Sequence, residues 1–308
     1  MASRFALWIA LIMQQVTVRV PASTSNLGPG FDCLGVALRV YNNVTVSRTR
    51  SRPLPAMVRS AATSFFKEAR TGPFPYSCSI TGDVPQSRGL GSSVTVRLGV
   101  MHGLNELAGR PLQRQQIFEL CAHLEGHPDN AAPASYGGFN IVRGLHRQMF
   151  TVAARLHFIL LVPDFEIPTS QARSLLPARI DRSGAVENCR NACAITAAFA
   201  SREYQSLRGA FVDHLHQPFR KKLIPFLDKV IAAAESAGAL GAFLSGSGST
   251  VCAVTLRSPD RIARAMLAAA DSAGARIILT AADNRGARIL PIENRKSKFE
   301  NSPDGPAH

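Results

Sequence analysis

The sequence predicts a mixed helix-and-strand protein in two regions, on three observations. At 308 residues the chain can bury a large core and is long enough for two modest domains. Segments in which apolar and polar residues alternate are interleaved along it with segments of helical apolar spacing. Near Arg155 a second region begins, because His157 to Val162 is a nearly continuous apolar strand.

In the first region, Val16 to Val20 alternates as a half-buried strand and breaks at Pro21. A tight loop from Ala22 to Gly35 follows, with three glycines, Pro29 and several small polar residues, before a strand from Val36 to Val46. A helix over Ala56–Ala69 and a strand over Ser77–Thr81 lead to Pro85-Gln86-Ser87-Arg88-Gly89-Leu90-Gly91-Ser92-Ser93-Val94-Thr95. This stretch runs into a helix to Ala108 that Gly109-Arg110-Pro111 stops. A helix over Gln113–Leu124 ends in Glu125-Gly126-His127-Pro128-Asp129-Asn130, and a turn at Ser135–Phe139 enters a strand near Asn140–Val142. In the second region, Thr169 is a plausible N-cap for a short helix. Helices near Ala185–Ala200 and Ile224–Ala237 precede strands at Gly241–Leu244 and Val251–Leu256. These two strands flank Ser245-Gly246-Ser247-Gly248-Ser249-Thr250. A helix over Pro259–Ala273 and one or two strands close the region near Leu290.

Composition narrows the class. With 46% hydrophobic and 18% charged residues, wholesale disorder is excluded. The net charge of +14 favours anionic ligands. No block of five basic residues, zinc-finger spacing or aromatic-basic RNA motif accompanies it, so neither a nucleic acid nor a membrane is expected as partner. The apolar run Phe5–Met13 is too short to span a bilayer, and no small-residue cleavage site follows it. Residues 1–15 are expected to be an extension outside the fold, and the polar tail over 293–308 to be disordered. Six dispersed cysteines without a CxxC fit a reduced, cytoplasmic compartment. Cys189 and Cys193, four apart on a helix, are expected to pack as small apolar side chains.

The glycine-serine stretch at 85–95 has two readings. Glycines admit close backbone approach, and a helix start offers unpaired N–H groups under a positive dipole end, which suits phosphate. The other reading is a glycine turn with a serine N-cap. No Gly-Lys pair of the Walker type is present, nor a G-x-G-x-x-G after a strand, an H-E-x-x-H or a G-x-S-x-G elbow. A glycine-serine anion cradle, a carboxylate loop at Glu125, a second glycine-serine turn and isolated arginines remain. Phosphoryl transfer needs that set: donors around phosphates, hard oxygens for Mg²⁺ and positive charge for the transferring group.

Three stretches resemble the three motifs of the GHMP kinase superfamily, and within it those of the homoserine kinases. They are Val20 to Gly35, Arg88 to Ser93, and Leu244 to Thr250. Glu125–Asn130, Thr169 with Arg173, and His216-Gln217-Pro218-Phe219-Arg220 match in the same order. The likeness spans residues 16 to about 290. It implies an α+β fold with a ribosomal-protein-S5-domain-2-like N-terminal domain over 16–150 and a ferredoxin-like α/β C-terminal domain over 151–292. The active site would lie in the cleft between them.

By the same resemblance, Pro85, Gln86, Ser87, Arg88, Gly89, Leu90, Gly91, Ser92, Ser93, Val94 and Thr95 wrap the phosphates of ATP, with Gly246, Ser247 and Gly248 closing over them. Ser93 and Glu125 bind Mg²⁺. Asn26 and Asp32 hold L-homoserine, Arg173 and Arg220 grip its carboxylate, and His127, Asp129, Asn130 and Thr169 complete the acceptor site. Asp32, Ser93, Glu125 and Arg173 form the catalytic set. The implied reaction phosphorylates the homoserine hydroxyl in threonine biosynthesis. Two departures stand out: Val94 where the family usually has alanine, and Ser249 where it usually has proline. Neither removes a donor or a metal ligand, so an altered KM is expected before lost activity. Asp32 is open to two roles, base or positioning group. Other readings are a kinase for mevalonate, a sugar or shikimate, and a non-enzymatic basic binding protein. The residues leave the oligomeric state open, a homodimer included. Deleting residues 1–12 is expected to leave activity intact, and an inactive or insoluble truncation would refute that extension.

Overall fold

The computed structural model describes residues 14–49, 53–270 and 274–291. The expected tail over 293–308 lies outside them, as does the expected extension except for Gln14 and Gln15. Two antiparallel sheets carry the fold. The first is built on β1 (Gln15–Ser25) and β2 (Leu34–Ser47). Along its sequence follow α1 (Ala56–Ala69), β3 (Ser77–Gly82), α2 (Ser92–Leu107), α3 (Arg114–Glu125), α4 (Ala131–Tyr136), β4 (Phe139–Arg143) and β5 (His146–Phe150).

β1 continues through Pro21, where the sequence had suggested a break. Pro21 pairs with Tyr41 and Ala22 with Leu38, which leaves Arg39 and Val40 outside the ladder. Proline is tolerated at such an irregularity because no ladder N–H is needed there. The bend carries the hairpin between two cores. Val16, Val18 and Val20 pack with Val44 and Val46 under α1, α2 and α3. Ala22, Leu34, Val36 and Leu38 pack toward the second sheet. Strand β5 and helix α4 were not anticipated. β5 is an exposed edge hairpin of mixed polarity, and α4 is one short turn enclosed between Asn130 and Gly137.

The second sheet has the order β7-β8-β6-β9, from β6 (His157–Val162), β7 (Gly241–Leu244), β8 (Val251–Thr255) and β9 (Arg276–Ala281). Helices α5 (Thr169–Ser174), α6 (Arg182–Ser201), α7 (Gln217–Arg220) and α8 (Leu227–Ser236) separate β6 from β7, and α9 (Pro259–Ala270) joins β8 to β9. That strand order and these crossovers are ferredoxin-like. β6 reads as continuously apolar because both its faces are buried. Phe158 and Leu160 face the core shared with the first sheet, and Ile159 and Leu161 face α8 and α9. The chain then returns to the first sheet, where β10 (Arg288–Ile289) pairs with β1.

Two expectations need correction. Cys189 and Cys193 are exposed, because they lie on the outer face of α6 while Ile195, Ala198 and Phe199 face inward. Thr169 does not cap α5. Pro168 holds that position without a side-chain cap, and the Thr169 hydroxyl lies 3.4 Å from Ser247 Oγ.

Helix α2 lies close on the first sheet because Gly99 and Gly103 face Val44 and Val46, with no room for a Cβ. Gly99→Ala is expected to lower stability by about 1–3 kcal/mol in urea unfolding, overpacking outweighing the gain in helix propensity. Adding Val44→Ala should recover part of that loss.

Candidate active site

A cleft of about 510 Å³ opens where three loops meet at the seam of the two sheets. The first is the β1–β2 loop. Asn26, Leu27, Gly28 and Asp32 all have positive φ, so this loop coils tightly and returns its polar atoms inward. Asn26 Oδ1 accepts from the Asp32 N–H at 3.1 Å, and Asn26 Nδ2 donates to the Gly246 carbonyl at 3.1 Å. Short polar side chains such as those of Asn26 and Asp32 are common turn-formers. Both do hold the turn, and both also line the cleft.

The second loop leads into α2. Its N-cap is Gly91 in the left-handed region with no side-chain cap, so the serine cap of the alternative reading is absent. The first N–H groups of a four-turn helix therefore face the cleft beside Ser92 and Ser93. Gly89 must be glycine: its φ is +72°, and a Cβ would strike the Ser245 carbonyl. Of the stretch 85–95, residues Gln86 to Gly89 and Gly91 to Val94 line the cleft, whereas Pro85, Leu90 and Thr95 do not. Leu90 is core. Thr95 donates to the Ser92 carbonyl and accepts from Asn42 Nδ2, so its hydroxyl is spent inside the fold. Arg88 lines the cleft, but its guanidinium donates to the carbonyls of Gln86, Pro163 and Asp164 and pairs with Glu166.

The third loop, Ser245 to Thr250, is woven through the other two. Ser245 Oγ donates to the Gly89 carbonyl at 2.7 Å, and the Gly246 N–H donates to the Ser25 carbonyl at 3.2 Å. Gly246 and Ser247 line the cleft, and Gly248 faces Ile224 and Leu244 instead.

The carboxylates of the cleft are paired. Ser93 Oγ donates to Glu125 Oε2 at 2.8 Å, and Arg97 Nε lies 2.6 Å from Glu125 Oε1. Arg173 holds Asp32 with both prongs of its fork, Nη1 to Oδ2 at 3.0 Å and Nη2 to Oδ1 at 2.6 Å. His127 Nδ1 lies 3.0 Å from the buried Asp129 carboxylate, whose hydrogen bond holds the imidazole pKa above its ordinary value against the opposing effect of burial. Asn130 donates from Nδ2 to Ser25 Oγ and accepts from Ser23 Oγ.

Arg220 is 2% exposed, and burial lowers its pKa to about 10. It donates to the carbonyls of Ala172 and Gly246. The neighbouring His216, with its pKa lowered to about 4 by burial, lies 3.3 Å from Arg220 and stacks on Phe31. The Phe31 ring also faces the guanidiniums of Arg173 and Arg220.

Ser93 and Glu125 suit a hard cation. They present two oxygens side by side, and Glu125 Oε1 has no aligned hydrogen-bond donor. Among the described residues no group of three or more His, Cys, Asp or Glu could hold a metal, so other oxygens would have to come from a ligand.

Sequence reasoning missed Phe31 and an apolar part of the cleft formed by Pro55, Met57, Val58, Ile80 and Val96, and it missed Arg97, which pairs with Glu125 from outside the cleft lining. Arg97 carried a usable signal, since it stands four residues after Ser93 on one helix face. The apolar set comes from three separate elements and carries none. Among the described residues, no helix is long and apolar enough to cross a membrane.

Comparison with known proteins adds to this geometry. Residues 56–138 match the GHMP kinases N terminal domain, and residues 196–272 match the GHMP kinases C terminal domain. The chain is 38% identical over 257 residues to a homoserine kinase of Caldicellulosiruptor bescii, covering 78% of this chain and 84% of that one. It is 34% identical over 275 residues to a homoserine kinase of Halothermothrix orenii, covering 82% and 88%. The crystal structure of a homoserine kinase from Cytophaga hutchinsonii superposes with a TM-score of 0.83 at 25% identity, covering 91% and 98%.

The His127–Asp129 pair gives a pH prediction. The folded-state pKa of His127 is raised, so its stabilising contribution is complete below the unfolded pKa and fades as pH rises through the folded one. An NMR titration should place His127 above the ordinary imidazole value of about 6.5, and Asp129→Asn should drop it below.

Proposed function

This chain belongs to the homoserine kinases of the GHMP kinase superfamily, and on that premise we propose that it transfers the γ-phosphoryl group of ATP to the side-chain hydroxyl of L-homoserine, giving O-phosphohomoserine. The nucleotide base would occupy the apolar part formed by Met57, Val58, Ile80 and Val96. The phosphates would lie against the N–H groups between Gly89 and Ser93, where the α2 dipole and the +14 net charge favour anions. Ser93 and Glu125 would hold Mg²⁺, which would offset charge on the phosphates.

The substrate reading rests on one observation, the bidentate pairing of Asp32 with Arg173 inside the cleft. Such a pair opens cheaply only for a ligand that replaces both partners. An amino acid does so: its ammonium takes Asp32 and its carboxylate takes the Arg173 fork. Mevalonate, a sugar or shikimate has no ammonium and would leave Asp32 unpaired in a half-buried site. Arg220 adds positive charge behind the carboxylate, and Phe31 keeps both guanidiniums in place.

Catalysis then comes from position and charge. Asn26 and Asp32 fix the amino end and Arg173 the carboxyl end, so the hydroxyl is presented toward the phosphate loop. The hydroxyl proton passes to a phosphate oxygen, because Asp32 is already committed to binding. The reaction is assigned to threonine biosynthesis and to the cytoplasm, the latter supported by six cysteines that are all unpaired.

Two measurements check this reading. ADP release with ATP and Mg²⁺ should require L-homoserine and be absent with mevalonate, galactose or shikimate. No turnover with any of them, beside tight salt-dependent nucleic-acid binding, would instead indicate a basic binding protein. Asp32→Asn should raise KM for L-homoserine by about tenfold or more and lower kcat less. A large kcat loss at unchanged KM would make Asp32 the base.

A further inference from the structure

Arg97 stands beside the carboxylate that would hold the metal. It lies one turn after Ser93 on α2, so both side chains reach Glu125 at the end of α3. Ser93 occupies one carboxylate oxygen and Arg97 approaches the other at 2.6 Å. That approach is not aligned along the N–H direction, so it acts through charge more than as a directed hydrogen bond. The side chains of Arg97 and Glu125 are 16% and 10% exposed, which limits screening by solvent. Arg97 Nη1 lies 3.4 Å from Ser60 Oγ on α1, which keeps the guanidinium near the carboxylate.

We propose that Arg97 makes metal binding depend on nucleotide: by neutralising Glu125 it keeps a bare divalent cation off the Ser93–Glu125 pair until phosphates arrive with one. The proposal rests on the reading of Ser93 and Glu125 as the metal-holding residues. Without nucleotide, a cation would meet one hydroxyl and one carboxylate whose charge is already balanced. Among the described residues there is no cluster of further acidic ligands to compensate. With nucleotide, the phosphates supply the oxygens and the negative charge that the neutralised pair lacks. Arg97 therefore discourages free cation and leaves the metal–nucleotide complex as the form that binds.

The test is Mn²⁺ binding to the nucleotide-free full-length protein, followed by the loss of the free-ion electron paramagnetic resonance signal. Mn²⁺ shares the oxygen preference of Mg²⁺. Wild type and Arg97→Lys, which keeps the charge, should both bind Mn²⁺ weakly. Arg97→Gln and Arg97→Met should bind it about tenfold more tightly or better, and Glu125→Gln added to Arg97→Gln should abolish the gain. Equal affinity in wild type, Arg97→Gln and Arg97→Met would overturn the proposal, as would an Arg97→Lys protein that behaves like Arg97→Gln. A separate arm tests the parent reading. If Glu125→Gln alone leaves Mn²⁺-dependent ADP binding intact, the metal is not held at Glu125, whatever Arg97 does.

Discussion

Everything in the cleft depends on the contact between Ser245 and Gly89. The Ser245 hydroxyl donates to the Gly89 carbonyl, and its own carbonyl lies where a Cβ on residue 89 would sit. This is a contact between elements 156 residues apart in sequence, and it ties the loop before α2 to the second sheet. The end of β1, which leads into the β1–β2 loop, is bound into the same knot through Thr24 Oγ1, 2.8 Å from Ser245 Oγ, and through the Ser23 N–H, which donates to the Leu90 carbonyl. The loop before α2 and the β1–β2 loop are thus neighbours, held by a third loop that bonds to both and by the direct Ser23–Leu90 bond. Glycine at 89 is the steric condition for that arrangement.

A second principle runs through the cleft: its carboxylates are paired within the protein. Asp32 has Arg173, Glu125 has Ser93 and Arg97, and Asp129 has His127 and the Asn130 N–H. Unpaired charge at this depth would be costly, so pairing keeps the site folded and shaped. On the proposed reading, ligand binding would be an exchange of partners that a ligand with matching charges completes. The proposed selectivity for a zwitterionic acceptor and for a metal that travels with phosphate would both follow from that exchange.

The residues themselves announced much of this. Period-two alternation placed β1 and β2, a continuous apolar run placed β6, helical spacing placed α1, α2 and α3, and the glycine-serine runs marked the loops that meet at the cleft. Pairing between distant residues was invisible. Nothing local in Pro21 shows that Arg39 and Val40 drop out of the ladder opposite it and let the strand continue. Asp32 and Arg173 each looked like a ligand-binding group, and only folding across 141 residues shows that they bind one another. Cys189 and Cys193 show the converse limit, since helical spacing sets which residues share a face but not which face is buried.

The most direct measurement is the binding of ADP and of L-homoserine, each alone, to Gly89→Ala by calorimetry, with circular dichroism confirming the fold. If the three loops form one interlocked unit, a single methyl group at residue 89 weakens both ligands, each by about tenfold or more. Weakened ADP with unchanged homoserine affinity would show that the β1–β2 loop stands independently of the loop before α2, and would contradict the interlock.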